Sequence, residues 1–122
     1  MEQYVVSVYI RDDFDPSTMD AALFRDIEAL NEEMKAARVR IFVGGHAPVK
    51  SAKSLRVEGG GPVVVTDGPY TETKEHVGGF WVLAVENQDE ALAWGRKVAV
   101  TCRGSVEVRQ VFQRVEIDWP RI

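Results

Sequence analysis

The amino-acid sequence predicts a single α+β domain, because hydrophobic periods typical of strands and helices alternate along a chain of 122 residues. Residues 3–10 alternate with a period of two, which indicates a strand with both faces at least partly covered. Apolar residues then recur every three or four positions from Met19 to Met34, as in an amphipathic helix. A second helix is predicted after Asn87, because this residue and Glu90 form an N-terminal capping pair.

The remaining elements follow from turn residues and alternation. The first helix is predicted from about Pro16, capped by Asp15 or Ser17, to about Ala37. Residues 39–43 alternate as a second strand that ends at a glycine pair. Two short apolar runs flank three glycines and predict a hairpin over residues 54–66. Further strands are expected at residues 80–86 and 105–115, the second after a loop at residues 101–104.

The order of these elements is strand, helix, strand, hairpin, strand, helix, strand. With the hairpin treated as an insertion, the order is βαββαβ, which is the ferredoxin-like plan. Residues 1–115 are therefore predicted to form one domain. Residues 116–122, which contain Trp119 and Pro120, form a C-terminal tail.

Composition limits the classes of function. The chain has 15 basic and 19 acidic residues, a net charge of -4, and this acidity argues against a nucleic-acid partner. No apolar run approaches the ~20 residues that cross a bilayer. The N-terminal residues lack the basic start of a secretory signal, and the single cysteine, Cys102, fits a reducing compartment. We therefore expect a cytoplasmic protein with no membrane contact.

The predicted fold also implies a partner. Two helices cover only one face of a four-stranded sheet, so the other face would expose apolar side chains. A second copy packed sheet to sheet would cover that face, and we predict a homodimer with a cleft between the sheets. The alternative is a monomer whose second face is covered by the hairpin and the C-terminal tail. The residues expected on this face are Val5, Tyr9 or Phe42, with either Trp81 and Leu83 or Phe80 and Val82.

Residues 66–80 hold the densest group of candidate functional side chains. Asp67 is a candidate catalytic carboxylate, and Tyr70, Glu72 and Lys74 are candidate binding residues. Loops between strands commonly carry such groups. The same residues also fit an ordinary Asp-Gly-Pro turn followed by solvated charges, and composition by itself favours that reading.

Two histidines and one arginine complete the candidate site. His46 and His76 are candidate proton-transfer residues, and Asp67 could orient either of them. Arg109 could hold an anionic ligand, although an ion pair with Glu107 on the same strand face is the plainer explanation. The chain lacks His-x-His and His-x-x-x-His spacing, so we predict no metal site. Its glycine run has neither the Lys-Ser/Thr of a P-loop nor the strand-to-helix setting of a dinucleotide fold, and we predict no cofactor.

The segments DGPYTETKEHVGGFWVLAVENQDEALAW and GSVEVRQV strongly resemble the YCII-related family. The likeness is greatest to its branch with a DGPF motif, with Tyr70 here in place of the phenylalanine. The resemblance covers nearly the whole chain and implies a ferredoxin-like fold that pairs as a dimeric α/β barrel. The motif carries over to Asp67, Gly68, Pro69, Tyr70, Glu72, Lys74, Glu75, Gly78 and Gly79.

For function, the residues and the resemblance together leave two main hypotheses, and a third is a small assembly protein with no pocket. Some YCII-like proteins are proposed to use a His–Asp pair, and one relative removes chloride from a hydroxylated aromatic ring. The histidine of that pair lies on the first helix, and residues 15–37 contain no histidine, so that assignment does not transfer. One hypothesis is therefore an acid–base enzyme acting on a small anionic or aromatic ligand in a cleft of the dimer. The other is a non-catalytic binding or regulatory module associated with extracytoplasmic-function sigma factors.

Overall fold

The computed structural model describes residues 1–113, which fold into a mixed α+β structure. Within this part, the α-helices are α1 (Ala21–Ala36) and α2 (Gln88–Cys102). The strands are β1 (Glu2–Arg11), β2 (Arg40–Gly45), β3 (Lys53–Val57), β4 (Val63–Asp67), β5 (Glu75–Val85) and β6 (Ser105–Val111).

Four strands form the main sheet in the order β2-β5-β1-β6, and every neighbouring pair is antiparallel. Strands β3 and β4 form a separate two-stranded sheet, which is the hairpin predicted from the sequence. This arrangement is compatible with the ferredoxin-like plan. None of the described helices is both long enough and apolar enough to cross a membrane.

The core lies between the two helices and one face of the main sheet. Residues alternate along β1 and β5, so that every second side chain faces the helices. Leu30 and Met34 from α1 and Trp94 and Val98 from α2 pack on that face. The strand residues of this core are Tyr4, Val6, Val8, Trp81, Leu83 and Val85.

The opposite face of the main sheet is not covered by any described element, and we call it the open face. Cross-strand register places Val5 opposite both Val82 and Arg109, and it places Phe42 opposite Val82. The register settles the alternative left by the sequence, because Phe80 and Val82 share this face whereas Trp81 and Leu83 are buried under the helices.

The predicted first residues of α1 and β5 were wrong. Helix α1 begins at Ala21, because residues 16–18 form a separate 3₁₀ turn whose cap is Asp15. The N-cap of α1 is Asp20, whose carboxylate accepts from the amide of Leu23 at 2.8 Å. Strand β5 begins at Glu75 rather than Phe80, because its polar first residues pair with the end of β1.

Two further boundaries differ at the C-terminal side. Helix α2 includes residues 101–102 and ends at Cys102. The residue that caps it, Arg103, adopts a left-handed conformation and donates its amide to the carbonyl of Ala99. Strand β6 ends at Val111, four residues earlier than predicted. The end of the predicted strand at residues 114–115 and the predicted tail at residues 116–122 lie outside the described residues.

Candidate functional site

The open face is built from three rows of side chains that run across the strands. One row contains Phe42, Val82, Val5 and Arg109, and the next contains Phe80 with Ser7 and Glu107. Tyr9 lies in a third row, beside a register shift between Val8 and Tyr9. The face is therefore apolar on β2 and β5 and charged on β6.

Phe80 is the centre of an aromatic cluster on this face. The ring of Phe42 lies 5.6 Å from the ring of Phe80, centroid to centroid, in a tilted arrangement. The absence of a side chain at Gly44 leaves room for the Phe42 ring, because a Cβ at this position would approach that ring to 2.8 Å. The cluster is partly open to solvent, and Phe42 is 53% exposed.

His46 extends the cluster just beyond β2. Its ring centroid lies 5.5 Å from that of Phe80, and its amide donates to the carbonyl of Gly78 at 2.9 Å. Its Nδ1 lies 2.9 Å from the carbonyl oxygen of Val77. Because a carbonyl oxygen only accepts, Nδ1 carries a proton, and in the neutral ring Nε2 therefore holds the lone pair. The ring is thus fixed in the tautomer that can accept a proton at Nε2.

Arg109 supplies the positive charge of the open face. Its guanidinium pairs with Glu107 at 2.9 Å, as expected for neighbours on one strand face. Both side chains are solvent-accessible, so the pair is worth at most about 1 kcal/mol. Such a weak pair leaves guanidinium donors that an anionic ligand can engage.

His76, the second candidate histidine, lies in a different environment. Its Nδ1 is 2.6 Å from the carboxylate of Asp12, and its Nε2 is 3.0 Å from the carbonyl oxygen of Thr71 and 3.2 Å from the hydroxyl of Thr73. The bond to Asp12, and then the bond to Thr71, raise the pKa of His76 because they favour the protonated ring. With both nitrogens donating, His76 ties β1 to the connection before β5.

Asp67 lies on the hairpin and pairs with Lys53 rather than with either histidine. Its side chain is 84% exposed. The residues that follow it fold back along the hairpin, where the carbonyl of Gly68 accepts from the Ser54 hydroxyl at 2.7 Å. The carbonyl of Tyr70 accepts from Arg56 at 3.1 Å, and the Arg56 guanidinium lies 4.4 Å from the Tyr70 ring centroid. In this structure the Asp-Gly-Pro-Tyr motif closes the base of the hairpin.

The other sequence candidates are dispersed. Glu72 and Lys74 lie in the exposed connection between β4 and β5, where the carbonyl of Lys74 accepts from the amide of Asp12 at 2.9 Å. Burial raises the pKa of the Cys102 thiol, which disfavours the reactive thiolate. Among residues 1–113, no group of three His, Cys, Asp or Glu side chains could hold a metal ion.

Sequence reasoning missed Asp12 and Lys53, the partners of His76 and Asp67. Asp12 is 64 residues from His76 in the chain and stands in a charged run that reads as a strand end. Only the antiparallel pairing of Arg11 with Glu75 brings the two together. The aromatic cluster was detectable, because Phe42 and Phe80 both occupy alternating strand positions, Phe42 two residues before Gly44 and Phe80 directly after Gly79.

Comparison with known proteins defines the class. The model of the YCII-related domain matches residues 3–115, which is nearly the full chain. The chain therefore belongs to the YCII-related family. It is also similar to a protein of Rhizobium meliloti (strain 1021) described as uncharacterized, with 35% identity over 92 residues. The match covers 74% of this chain and 73% of that protein.

Proposed function

We propose that the open face binds a small aromatic anion and that His46 exchanges a proton with it. The observation that carries this proposal is the position of His46, whose Nδ1 is fixed by Val77 and whose ring lies against Phe80. An imidazole held by a carbonyl beside an exposed aromatic surface is an arrangement suited to general acid–base chemistry.

The dimensions of the face support a small planar ligand. Phe80 on β5 and Arg109 on β6 are separated by β1, so about 10 Å lies between their backbones. A ligand ring stacked on Phe80 would direct a carboxylate or phenolate towards the guanidinium of Arg109. A hydroxyl on the same ring could then transfer its proton to Nε2 of His46.

We further propose that a second copy covers the open face, as in a dimeric α/β barrel, and that this chain belongs to the DGPF branch of its family. Support for the pairing comes from exposed surface. The chain exposes 8911 Å², whereas a compact monomer of 13.7 kDa exposes about 6,600 Å². Residues 114–122 would account for about 1,700 Å² of this exposure if fully extended, and without their mass the compact reference falls to about 6,200 Å², so about 1,000 Å² of excess remains for residues 1–113. A standard interface takes about 800 Å² from each partner.

The other sequence candidates take positioning roles in this proposal. Asp67 and Tyr70 hold the hairpin, and His76 holds the connection that contains Glu72 and Lys74. The association with sigma factors stays a prediction from the family resemblance. A protein that binds the anion without any turnover would favour that regulatory role over an enzyme.

The test is an NMR titration of the ¹⁵N-labelled protein with salicylate and benzoate, and with cyclohexanecarboxylate as a non-planar anion. We expect saturable shifts at the Phe80 and Val82 amides and at the His46 ring with the two aromatic acids. Arg109→Gln should weaken binding at least tenfold, whereas the matched control Arg25→Gln on the exposed side of α1 should not. His46→Phe, which keeps a ring beside Phe80 but removes Nε2, should weaken binding of salicylate more than that of benzoate, because only salicylate carries a hydroxyl.

The proposal fails if neither aromatic acid shifts the open-face amides at millimolar concentration. It also fails if Arg109→Gln and Arg25→Gln bind equally, because the charge on β6 would then have no role. Equal binding of cyclohexanecarboxylate would remove the aromatic stacking from the proposal.

A further inference from the structure

The hairpin of residues 53–67, which we call the arm, has one strongly apolar face. Cross-strand pairing places Leu55 opposite Val65 and Val57 opposite Val63, and all four side chains lie on the same side of the ribbon. These residues are 59%, 59%, 67% and 53% exposed, respectively. A cluster of this kind is unusual on the surface of a monomer.

The other face of the arm contacts the chain segment that follows the hairpin. Ser54 is buried and donates to the carbonyl of Gly68, and Arg56 holds both the carbonyl and the ring of Tyr70. The polar side of the ribbon is therefore buried at Ser54 but exposed at Arg56, Val64 and Thr66, and the four apolar side chains on the opposite side are all exposed. A ribbon packed on its own domain would instead bury its apolar side and expose its polar side.

Within residues 1–113, β3 and β4 pack appreciably only against each other. A two-stranded ribbon by itself is at best marginally stable in water, so it needs another surface to pack on. We propose that the apolar face of the arm docks on a second copy of this chain. The inference rests on the pairing proposed above and adds a contact that the sheets by themselves do not make.

Charge and surface area favour a second copy over other occupants. Lys53 and Asp67 lie on the apolar face at the base of the arm and neutralise each other, so two copies that meet there bring no like charges together. The excess surface of the chain is of the size that one such interface removes. A lipid surface fits less well, because Glu58 stands at the tip and the chain carries a net charge of -4.

The experiment compares two substitutions on opposite faces of the same ribbon, Val57→Glu on the apolar face and Val64→Glu on the face that carries Arg56. Sedimentation equilibrium from 0.1 to 100 μM protein gives the dimer dissociation constant of each. We expect Val57→Glu to raise it at least tenfold and Val64→Glu to leave it within about twofold of the parent value.

A second measurement covers the case in which Val57→Glu loosens the ribbon itself. In a Cys102→Ser background, Val57→Cys and Val64→Cys are treated with a maleimide at 0.1 and at 100 μM protein. We expect the reaction of Val57→Cys to slow at least tenfold at the higher concentration and that of Val64→Cys to stay unchanged.

Equal dissociation constants for the two Glu variants, together with maleimide rates that do not depend on concentration, would overturn the arm contact. The aromatic-anion site would remain untouched by that result, because its readout is the NMR titration. A parent protein that is monomeric at 100 μM would overturn the pairing as well. Cosedimentation with phosphatidylcholine–phosphatidylglycerol vesicles that Val57→Glu abolishes would assign the apolar face to lipid and overturn the inference.

Discussion

The imidazole of His76 and the carboxylate of Asp12 meet at 2.6 Å and join the ends of two strands across 64 residues of chain. The ring also donates to the carbonyl of Thr71, so a single side chain fixes the connection between the arm and β5. That contact makes the stability of this end of the sheet depend on the protonation of one group.

The His76 contact predicts a specific pH dependence. Because the folded-state pKa of His76 is raised, its stabilising contribution is fully present below about pH 6.5, the unfolded value, and is lost as pH rises through the folded pKa. Melting temperatures are to be measured from pH 5 to pH 9. The melting temperature of Asp12→Asn should lie furthest below that of the parent at pH 5, and the difference should shrink towards pH 9.

The neighbouring substitution Asp13→Asn is the control for Asp12→Asn. Asp13 pairs with Arg11 at the surface, and that pairing lowers the pKa of Asp13. Asp13→Asn should therefore change the melting temperature by the same amount at every pH from 5 to 9, because the stabilisation from Asp13 is lost only at more acidic pH. A gap between Asp12→Asn and the parent that stays constant from pH 5 to pH 9 would contradict the role given to His76.

Gly95 predicts a tight contact between α2 and β6. A Cβ at this buried position would lie 2.6 Å from Cγ2 of Val108, a short and stiff side chain. We expect Gly95→Ala to lower the free energy of unfolding by about 1–2 kcal/mol, because overpacking exceeds the gain in helix propensity. Urea unfolding measures this loss.

Val108→Ala should rescue Gly95→Ala, and the double variant should show a coupling energy of at least about 0.5 kcal/mol. Ala93→Gly, at an exposed position of the same helix, calibrates the propensity contribution. Strictly additive effects of Gly95→Ala and Val108→Ala would show that the two residues do not compete for space.

The hydrogen bonds of Asn31 predict how much stability is lost when the buried indole of Trp81 has no acceptor. Its Oδ1 accepts from Nε1 of Trp81 at 2.9 Å and from Arg40 at 3.2 Å, while its Nδ2 donates to the carbonyl of Ile27 at 3.1 Å. Asn31→Ala should lower the free energy of unfolding by about 1–3 kcal/mol and change the emission of Trp81.

The control is Asn87→Ala, which removes the bond from Asn87 to the amide of Glu90 at the start of α2. It should cost about 1 kcal/mol and leave the Trp81 emission unchanged. If Asn31→Ala lowers the free energy of unfolding no more than a substitution at an exposed position does, then water replaces the lost acceptor.

The base of the arm predicts a local rather than a global effect. Ser54→Ala removes the 2.7 Å bond to the carbonyl of Gly68, whereas Asp67→Ala removes only an exposed ion pair. Ser54→Ala should speed amide exchange across β3 and β4 without changing β1 or β5. Asp67→Ala should alter the free energy of unfolding by less than about 1 kcal/mol. Faster exchange throughout the main sheet would show that the arm and the sheet open together.

Sequence periodicity was sufficient to predict the helices and strands that pack on the core. The period of two in β1 and the helical repeat ending at Met34 both reflect burial on one side, so they were readable without the structure. Periodicity failed at Pro16 and at Glu75, where no core contact exists and where local capping or strand pairing fixes the boundary.

The candidate site was only partly predictable, because it depends on which residues meet across strands. His46 stood out as a histidine after a glycine pair, but its fixed tautomer depends on Val77, which the sequence could not assign to it. The pairing of His76 with Asp12 depends on a strand register that no local pattern encodes.

The segment that carries the arm leaves the sheet after Gly45 and returns at Glu75 on the neighbouring strand. The amide of His46 donates to the carbonyl of Gly78 where the two ends of this segment pass. An excursion anchored on adjacent strands can be lengthened, trimmed or exchanged while the four sheet strands keep their registers. Residues 47–74 thus constitute a replaceable cassette, and swapping it between relatives offers a route to new assemblies on an unchanged scaffold.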